Sequence, residues 1–366
     1  METEENSRFS CGVILRTCEV VLAAESLAAK ASGIGRVARL MERVFSERYP
    51  AQGKCVGVSL SDASPPADAV FDVLPCKGNR FRFVIEVQRK GFRAQRVAYD
   101  SLSMARAHSM GPARFRPALA WMHGIEVWEH ARNVHLQIAK CVDLLVTNSE
   151  YTLRRASALH PELKRAKVCW LGTETDRPAE PMTDHWHPPT AMILSRIDDR
   201  SYKGHDALVE IWPSVLERVP DARLLVAGSG PGVQELQKRA LNLRQIEFSG
   251  YVQESAIPAL WNETDVFVMP SQGEGFGLVY IEAMRHGKPV IASCQDAGQE
   301  INIHGATGYN VDLNRPSDLV DVLVRLLVDH GQARAMGRAG QERWQRFFSW
   351  SAFRARFVNL IDQEGF

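Results

Sequence analysis

The sequence lacks the features that define several classes of protein. No apolar run in its 366 residues reaches the ~18 residues of a membrane-spanning helix, so none is expected. Its seven cysteines are scattered and no two have C-x-x-C spacing, which indicates free thiols in a reducing compartment. The net charge is +1, which gives the chain as a whole no attraction to nucleic acid. The N-terminus METEENSRFS is acidic and polar, unlike a secretory signal, and we expect a cytoplasmic protein.

Metal-binding patterns are also scarce. His185 and His187 have the spacing of two metal ligands, but no second pair accompanies them, so a linker is favoured over a zinc site. No D-x-D motif follows a predicted strand in a place suited to a metal–diphosphate complex. The nearest pattern is Asp198-Asp199, beside which Arg196 and Lys203 already supply positive charge. We therefore expect no metal and no cofactor.

The composition suits a protein of two α/β domains. Hydrophobic residues make up 45% of the chain and charged residues 24%, so it can bury large cores. Apolar strand-like segments alternate with helical ones, which predicts parallel sheets with helices on both faces. Strands are predicted at residues 11–15, 55–60, 71–74, 81–87, 96–99, 119–122, 144–148, 168–171, 190–197, 223–227, 246–251, 265–270 and 308–311.

The predicted helices and a linker complete this organisation. Residues 22–49 are predicted to be a long helical stretch, interrupted at residues 32–36 by glycines. A segment rich in proline and polar residues, 179–189, is interpreted as the interdomain linker. The expected units are an N-terminal domain at 1–178, a C-terminal domain at 190–345 and a terminal helical segment at 346–366.

Residues 271–291 combine a glycine-rich loop, a helix predicted at 276–286, and a strand. Gly273, Gly275 and Gly277 allow the backbone to approach a bulky group, because they carry no Cβ atom. The helix starts after a buried strand, and its free N–H groups and the positive end of its dipole face the loop. This stretch therefore predicts a phosphate site.

Two carboxylates frame that phosphate site. Glu274 lies in the loop and Glu282 about two turns into the helix, roughly 8–9 Å along its axis. One acid can bind hydroxyl groups at one end of an extended ligand and the other acid those at the far end, with phosphate between them. This arrangement suits a nucleotide sugar. Each acid alone also has a simpler interpretation: Glu282 as a solvated helix residue, and Glu274 as a favourable charge near a helix N-terminus.

Glu274 and Glu282, separated by seven residues in GEGFGLVYIEAMRHGKPVIAS, resemble the E-x7-E signature of retaining glycosyltransferases of family four. The resemblance covers Thr190 to the C-terminus well and the N-terminal half only loosely. It implies the GT-B fold, in which two Rossmann-like domains face a cleft and a C-terminal helix crosses back to the first domain. It also implies transfer of a sugar from a nucleotide-diphosphate donor to a glycan, lipid-linked or small-molecule acceptor, with retention at the anomeric carbon.

The resemblance also implies roles for individual residues. Glu274 would hold the donor sugar, Glu282 the ribose, and His123 the sugar and phosphate from the opposite domain. Arg196, at the carboxyl end of its predicted strand, and Lys203 in the following loop would bind the diphosphate. Further donor contacts are implied for Gly33, Gly35, Gly230, Val252, Gly275, Phe276, Gly277 and Leu278.

Several of these residues have simpler interpretations that the sequence leaves open. His123 can cap a helix or bind a carbonyl group, and the glycines of 32–36 can form a plain helix–helix turn. Arg196 and Lys203, each taken alone, can be surface charges.

A local basic cluster occurs in the N-terminal half. One interpretation of this cluster is a solvated face. The other is an acceptor-side surface for a lipid phosphate or an anionic membrane, and this second interpretation would place the protein at the inner face of the membrane. Its seven basic residues stand against one acid, Glu86; they are Lys77, Arg80, Arg82, Arg89, Lys90, Arg93 and Arg96.

Two rival functions remain at this level. A sugar-nucleotide epimerase or a phosphorylase can share this fold and cleft, and would differ in forming no new glycosidic bond. A non-catalytic homologue would act as a binding subunit, but such a scaffold would be free to lose the charged residues that this chain carries.

Overall fold

The computed structural model describes residues 18–28, 33–129, 131–179, 188–199 and 202–366. The strand expected at 11–15, the His185 and His187 pair, and most of the predicted linker lie outside the described residues.

The N-terminal half forms one sheet in which all neighbouring strands are parallel. Its strands are β1 (Cys18–Ala24), β2 (Cys55–Ser59), β3 (Asp72–Pro75), β4 (Ala94–Tyr99), β5 (Ala118–Met122), β6 (Leu144–Thr147) and β7 (Lys167–Val168). They lie in the order β3-β2-β1-β4-β5-β6-β7. The direction of the order reverses between β1 and β4, which is where open α/β sheets bind their ligands.

Helices connect and cover these strands. They are α1 (Gly33–Arg48), α2 (Arg80–Arg93), α3 (Leu102–Ala105), α4 (Asn133–Cys141) and α5 (Glu150–Leu159), with short 3-10 turns at His108–Met110, Pro112–Phe115, Ile125–Val127 and Pro161–Arg165.

The C-terminal half repeats the plan. Its strands are β8 (Thr190–Leu194), β9 (Arg223–Ala227), β10 (Ile246–Gly250), β11 (Val266–Val268), β12 (Val290–Ser293) and β13 (Gly308–Val311), in the order β10-β9-β8-β11-β12-β13 and all parallel. Its helices are α6 (His205–Arg218), α7 (Val233–Arg239), α8 (Ile257–Asn262), α9 (Leu278–Arg285), α10 (Gly298–Ile301), α11 (Pro316–Val328) and α12 (His330–Phe347), followed by α13 (Trp350–Gln363). The expected pair of Rossmann-like sheets is confirmed.

The prediction of a strand at 81–87 is wrong, because these residues lie in α2. The segment FRFVIEV alternates with a period of two, but α2 buries Phe83, Val87 and Gly91, four residues apart on one helix face. Asn79 caps the helix, since its side chain accepts a hydrogen bond from a first-turn N–H at 3.0 Å. The cap and the four-residue spacing outweigh the local alternation.

The prediction that a helical stretch begins at Leu22 is also wrong. Leu22 lies in β1, which pairs with β2 on one side and β4 on the other and is buried on both faces. An apolar run such as VVLAA is typical of a central parallel strand, and periodicity alone does not separate it from a buried helix. The first described helix, α1, begins at Gly33.

The last helix confirms the expected crossing to the first domain. The ring of Phe357 in α13 packs against Phe45 of α1 and Trp121 of β5, at centroid distances of 6.0 and 5.9 Å. Arg354 also forms an ion pair with Glu47 at 2.5 Å. The chain therefore ends on the domain in which it begins.

Two further expectations concern membranes and cysteines. No helix within the described ranges is both long and apolar enough to cross a bilayer. The six described cysteines are free thiols, as predicted; Cys18, Cys55, Cys76 and Cys169 are buried, whereas Cys141 and Cys294 are exposed.

Candidate active site

The carboxyl ends of both sheets open into a shared cavity of about 520 Å³. This is the edge at which ligands bind in open α/β sheets. Of the residues singled out in the sequence, the cavity is lined by Gly33, His123, Arg196, Lys203, Glu274, Gly275, Phe276, Gly277 and Leu278. A second cavity of about 560 Å³ shares Gly33 and Leu278 with the first and contains Glu282. We call them the sugar cavity and the nucleoside cavity, after the ligand groups that the resemblance implies for Glu274 and Glu282.

Glu274 and Lys203 form an ion pair in the sugar cavity. Both side chains are largely buried, with 13% and 16% of their surface exposed. Burial lowers the pKa of Lys203 to about 8, while the carboxylates of Asp296 and Asp198 act in the opposite direction. A lysine that is still charged near neutral pH can bind diphosphate oxygens as a point charge.

The backbone of Glu274 is held from its own domain. Its N–H donates to Oδ2 of Asp296 at 3.0 Å, and its carbonyl accepts from Ala297 N–H at 3.1 Å. Burial raises the pKa of Asp296 to about 7, against the hydrogen bond from Gly298 N–H. The backbone that carries the Glu274 side chain is therefore held by a buried acid that the sequence analysis did not identify.

Gly275 is the point where the first domain contacts the glycine loop. Its carbonyl accepts hydrogen bonds from Ser149 Oγ at 2.6 Å and Thr152 Oγ1 at 3.2 Å. A Cβ atom at this position would lie 1.8 Å from the carbonyl oxygen of His123, so only glycine fits. The glycines predict that the loop backbone comes close to another group, and at Gly275 that group is the backbone of the first domain.

Helix α9 begins at the floor of the sugar cavity. Gly277 precedes it with φ of 90°, a left-handed conformation that glycine adopts without strain. Gly277, Leu278 and Val279 line the cavity, so the N-terminal end of the helix opens into it. This geometry is suited to an anionic group.

Glu282 lies on the same helix, α9, and lines the nucleoside cavity. Its Oε1 accepts from Arg36 Nη1 of the first domain at 3.3 Å, and its Oε2 lies 3.7 Å from Arg285 Nη1. Burial raises the pKa of Glu282, and the two arginines oppose that shift. The carboxylate therefore bridges the domains beside the nucleoside cavity.

His123 is held in one orientation at the end of β5. Its Nε2 donates a hydrogen bond to the carbonyl of Asp100 at 2.6 Å, which assigns a proton to Nε2. Its ring stacks on Trp121, with the two planes 10° apart. Asp100 is fully buried and accepts from Glu25 N–H at 2.7 Å; burial raises its pKa to about 7.

The remaining charged residue, Arg196, sits at the rim of the cavity. Its side chain is 70% exposed and its Nε lies 2.8 Å from Asp198 Oδ1. Asp198, one of the acids considered as a metal ligand, is therefore paired with an arginine. Within the described residues, no group of three or more His, Cys, Asp or Glu side chains is arranged to hold a metal ion.

Three residues singled out in the sequence do not line these cavities. Gly35 is buried within the first turn of α1. Gly230 packs against the loop after β8, where a Cβ atom would lie 2.1 Å from the carbonyl of Ile197. Val252 follows β10 and is partly buried.

Several residues that the sequence analysis passed over lie at the site. Arg36 binds Glu282, and Asn148 and Tyr202 line the sugar cavity. Asn148 directly follows β6, as Asp100 follows β4. A polar residue immediately after a buried parallel strand is the signal that would have identified both.

Comparisons with known proteins support one family. The sequence profile described as glycosyl transferases group 1 matches residues 188–329. The GDP-mannose-dependent alpha-(1-6)-phosphatidylinositol monomannoside mannosyltransferase of Mycobacterium tuberculosis is 33% identical over 287 residues, 71% of this chain and 72% of that protein. The GDP-mannose-dependent monoacylated alpha-(1-6)-phosphatidylinositol monomannoside mannosyltransferase of Corynebacterium glutamicum is 31% identical over 269 residues, 67% of this chain and 70% of that protein.

Solved structures confirm the fold. The crystal structure of HepE from Anabaena in complex with UDP and glucose superposes with a TM-score of 0.75 at 16% identity, covering 94% of this chain and 99% of that one. The expected GT-B architecture and the resemblance found in the sequence are both confirmed. From the similarity to its relatives and from this fold, the chain belongs to the group 1 glycosyltransferases and is an enzyme that transfers a sugar from a nucleotide sugar.

Proposed function

We propose that the protein transfers a hexose from a nucleotide-diphosphate sugar to a lipid-linked or glycan acceptor, with retention at the anomeric carbon and without a metal. The observation that carries this proposal is the Lys203–Glu274 ion pair, placed in one cavity with the start of α9. A positive charge for the diphosphate and a carboxylate for sugar hydroxyls thus stand side by side.

Each group has a part in the proposed reaction. Lys203, Arg196 and the first-turn N–H groups of α9 stabilise the negative charge that grows on the departing diphosphate. Glu274 positions the donor sugar, and His123 supports that sugar from the other domain. Glu282 holds the ribose in the nucleoside cavity.

Retention is what the E-x7-E resemblance implies, and the engaged carboxylates of the sugar cavity bear on the route by which it would occur. Glu126 accepts a hydrogen bond from His123 N–H at 2.5 Å, and Glu274 pairs with Lys203. Neither is free to act as nucleophile or acid, as the two carboxylates of a retaining hydrolase do. The acceptor hydroxyl then bonds to the anomeric carbon on the face from which phosphate leaves. The bond from that carbon to the phosphate oxygen breaks, and this oxygen takes the hydroxyl proton.

The donor can be identified by thermal shift, since a ligand that binds only the folded protein raises its melting temperature. UDP, GDP, ADP and dTDP and their sugars are to be compared, with GDP-mannose first because both relatives described above use it. The anomeric configuration of the product, read by proton NMR, then tests retention. An inverted product contradicts the proposed mechanism.

The outward face of α2 supports contact with an anionic membrane. Phe81 is 76% exposed and Phe115, in the adjoining 3-10 turn, is 68% exposed. Exposed arginines share this face with the apolar side chains, and one of them, Arg89, pairs with Glu86 at 2.7 Å. We define the basic face as Phe81, Arg82, Ile85, Arg89, Phe92, Arg93, Arg114 and Phe115. Exposed rings beside several positive charges are suited to the headgroup region of an anionic bilayer.

Co-sedimentation with vesicles tests this contact. The protein should bind anionic vesicles at low salt and leave them by roughly 0.5 M salt. Arg82→Ser with Arg93→Ser should weaken binding by about 1 kcal/mol for each charge. The matched control is Arg334→Ser with Arg338→Ser, two exposed arginines on α12. Equal binding to neutral vesicles, or equal loss in the control, contradicts the proposal.

A further inference from the structure

Asp296 is a buried acid to which the mechanism above gives no part in the reaction. It lies between β12 and α10 and is fully buried. The neighbouring strand β11 is followed by the loop that carries Glu274, and β8, on the other side of β11, is followed by the loop that carries Lys203. Because the carboxyl ends of neighbouring parallel strands meet at one edge of a sheet, the three loops come together at the sugar cavity.

The carboxylate of Asp296 holds the glycine loop through several hydrogen bonds. Its Oδ2 accepts from Glu274 N–H at 3.0 Å, and its Oδ1 accepts from Gly298 N–H of α10 at 2.8 Å. The hydroxyl of Ser271 and the N–H of Gly273 also donate to it. One side chain therefore ties the loop, from Ser271 to Glu274, to the start of α10.

Asp296 also acts on Lys203 through its charge. Burial raises the pKa of Asp296 to about 7, and the positive charge of Lys203 is among the effects that oppose this rise. In return, the negative charge of Asp296 opposes the burial that lowers the pKa of Lys203 to about 8. Each ion therefore stabilises the charged form of the other, and between about pH 7 and pH 8 both are charged.

Three carboxylates act on Lys203, and they differ in what else they bind. Glu274 forms an ion pair with it, but its oxygens are proposed to bind the hydroxyl groups of the donor sugar. Asp198 lies 2.8 Å from the Nε of Arg196, at the rim of the cavity. Of the three, Asp296 is the one that its own hydrogen bonds keep in place when the donor binds.

Two further titratable groups pack against these ions, and both are uncharged near neutral pH. Burial and the neighbouring charge of Lys203 lower the pKa of His205 to about 4. Burial and the charge of Asp296 raise the pKa of Tyr280 well above its ordinary value. Neither group changes its charge between pH 6 and pH 8, so a change of Lys203 in that range is not due to them.

We propose that Asp296 is a positioning residue of the sugar transfer: it anchors the loop that carries Glu274, and it supplies the fixed negative charge that keeps Lys203 protonated for the diphosphate. The proposal rests on the proposed function, because it concerns the same donor and the same two side chains. Asp296 is buried and acts through Lys203 and Glu274, without touching the donor.

The charge of Lys203 can be measured without any substrate. Trace acetylation by acetic anhydride at a series of pH values, read on the Lys203 peptide by mass spectrometry, gives the pKa because only the neutral amine reacts. Asp296→Asn should lower that pKa by about one pH unit from the wild-type value of about 8. Asp321→Asn, which removes an exposed acid of α11 that pairs with Arg218, is the control and should leave it unchanged. An unchanged pKa in Asp296→Asn overturns the proposal.

The rate of transfer should show the same change. Because kcat/KM reports the free enzyme, its fall at alkaline pH should move to lower pH in Asp296→Asn, with a loss of about 5-fold at pH 8 and little loss of this kind at pH 6. The amide places a donor where the carboxylate accepts, so a further loss that is equal at every pH is expected from the loop. In a Lys203→Arg background the pH-dependent loss should vanish, since arginine stays charged. A loss that is equal at every pH, and nothing more, would mean that Asp296 only supports the loop and contradicts the proposal.

Ser271→Ala keeps the test decisive if Asp296→Asn folds poorly. It removes one donor to the carboxylate, which raises the pKa of Asp296 and leaves less negative charge beside Lys203 between about pH 7 and pH 8. The pKa of Lys203 should then fall by a smaller amount in the same labelling experiment, and no fall overturns the proposal. A lowered Lys203 pKa without any alkaline fall of kcat/KM would refute the role of Lys203 in the proposed function and leave its coupling to Asp296 standing.

Discussion

The charged residues on the two sides of the cleft differ in whether they have a partner of opposite charge. On the donor side each functional charge has an opposite partner: Lys203 with Glu274, Arg196 with Asp198 and Arg36 with Glu282. In the first domain, Arg80, Arg106 and Arg132 line a cavity of about 410 Å³ and form no ion pair with a carboxylate among the described residues. The protein itself therefore orients the groups that are proposed to bind the donor, whereas these three arginines are not oriented by a carboxylate of the described chain.

The largest effect is expected from removing the carboxylate of the Lys203–Glu274 pair. Glu274 holds the sugar that gains positive charge as its bond to phosphate breaks, so its contribution grows toward the transition state. Glu274→Ala should lower kcat by roughly 100-fold or more. Steady-state kinetics with circular dichroism as a folding check measure this, and Glu342→Ala on the surface of α12 is the control. An unchanged kcat would mean that the pair has a structural role only.

A smaller and different effect is expected from the carboxylate at the other end of the donor. Glu282 is proposed to bind the ribose, which does not react, so it should stabilise ground and transition states alike. Glu282→Ala should raise the donor KM by about 10- to 100-fold and leave kcat nearly unchanged, since a hydrogen bond to a charged group contributes about 1.5–3 kcal/mol. The same kinetic assay decides it. If kcat falls as far as in Glu274→Ala, the distinction between the two acids is wrong.

The donor side should also respond to pH through its lysine. Burial lowers the pKa of Lys203 to about 8, so the side chain is charged below that pH and neutral above it. Because the charge is needed to stabilise the diphosphate, kcat/KM for the donor should be level below pH 8 and fall as pH rises through it. Lys203→Arg should remove this fall, since arginine stays charged. A fall at the same pH in the arginine variant would assign it to another group.

The smallest effect is expected from removing divalent metals. The positive charges of Lys203 and Arg196 already stand at the proposed diphosphate position, and Asp198 is paired with Arg196. Activity should therefore be unchanged in EDTA. Complete loss that Mn²⁺ or Mg²⁺ restores would show that these side chains do not carry the charge assigned to them.

The C-terminal fold was predicted well because its signals are local. The loop, helix and strand of 271–291 are specified by neighbouring residues, and α9 spans eight of the eleven positions predicted. Segments whose secondary structure depends on contacts with distant parts of the chain were predicted less well. The strand-like FRFVIEV became a helix, and VVLAA became a strand because β2 and β4 flank it.

The site was predictable in its residues but not in its pairings. Sequence patterns placed Lys203 and Glu274 at the same edge, yet their contact joins residues 71 positions apart, and nothing local specifies it. The cavity lined by Arg80, Arg106 and Arg132 was not predicted at all. Its arginines follow different strands and helices, and only the strand order of the finished sheet brings them together.

The crossing of α13 has a kinematic consequence. The chain passes between the domains at two places, and these lie side by side: Thr173 N–H binds the carbonyl of Phe348 at 2.7 Å, and Trp350 N–H binds that of Thr175 at 3.1 Å. Because the two segments that connect the domains lie next to each other, they oppose sliding of one domain over the other. They still allow the domains to rotate about the line that joins the two segments. Widening of the cleft therefore swings on this line, and it must first break the hydrogen bonds that Ser149 and Thr152 make to Gly275.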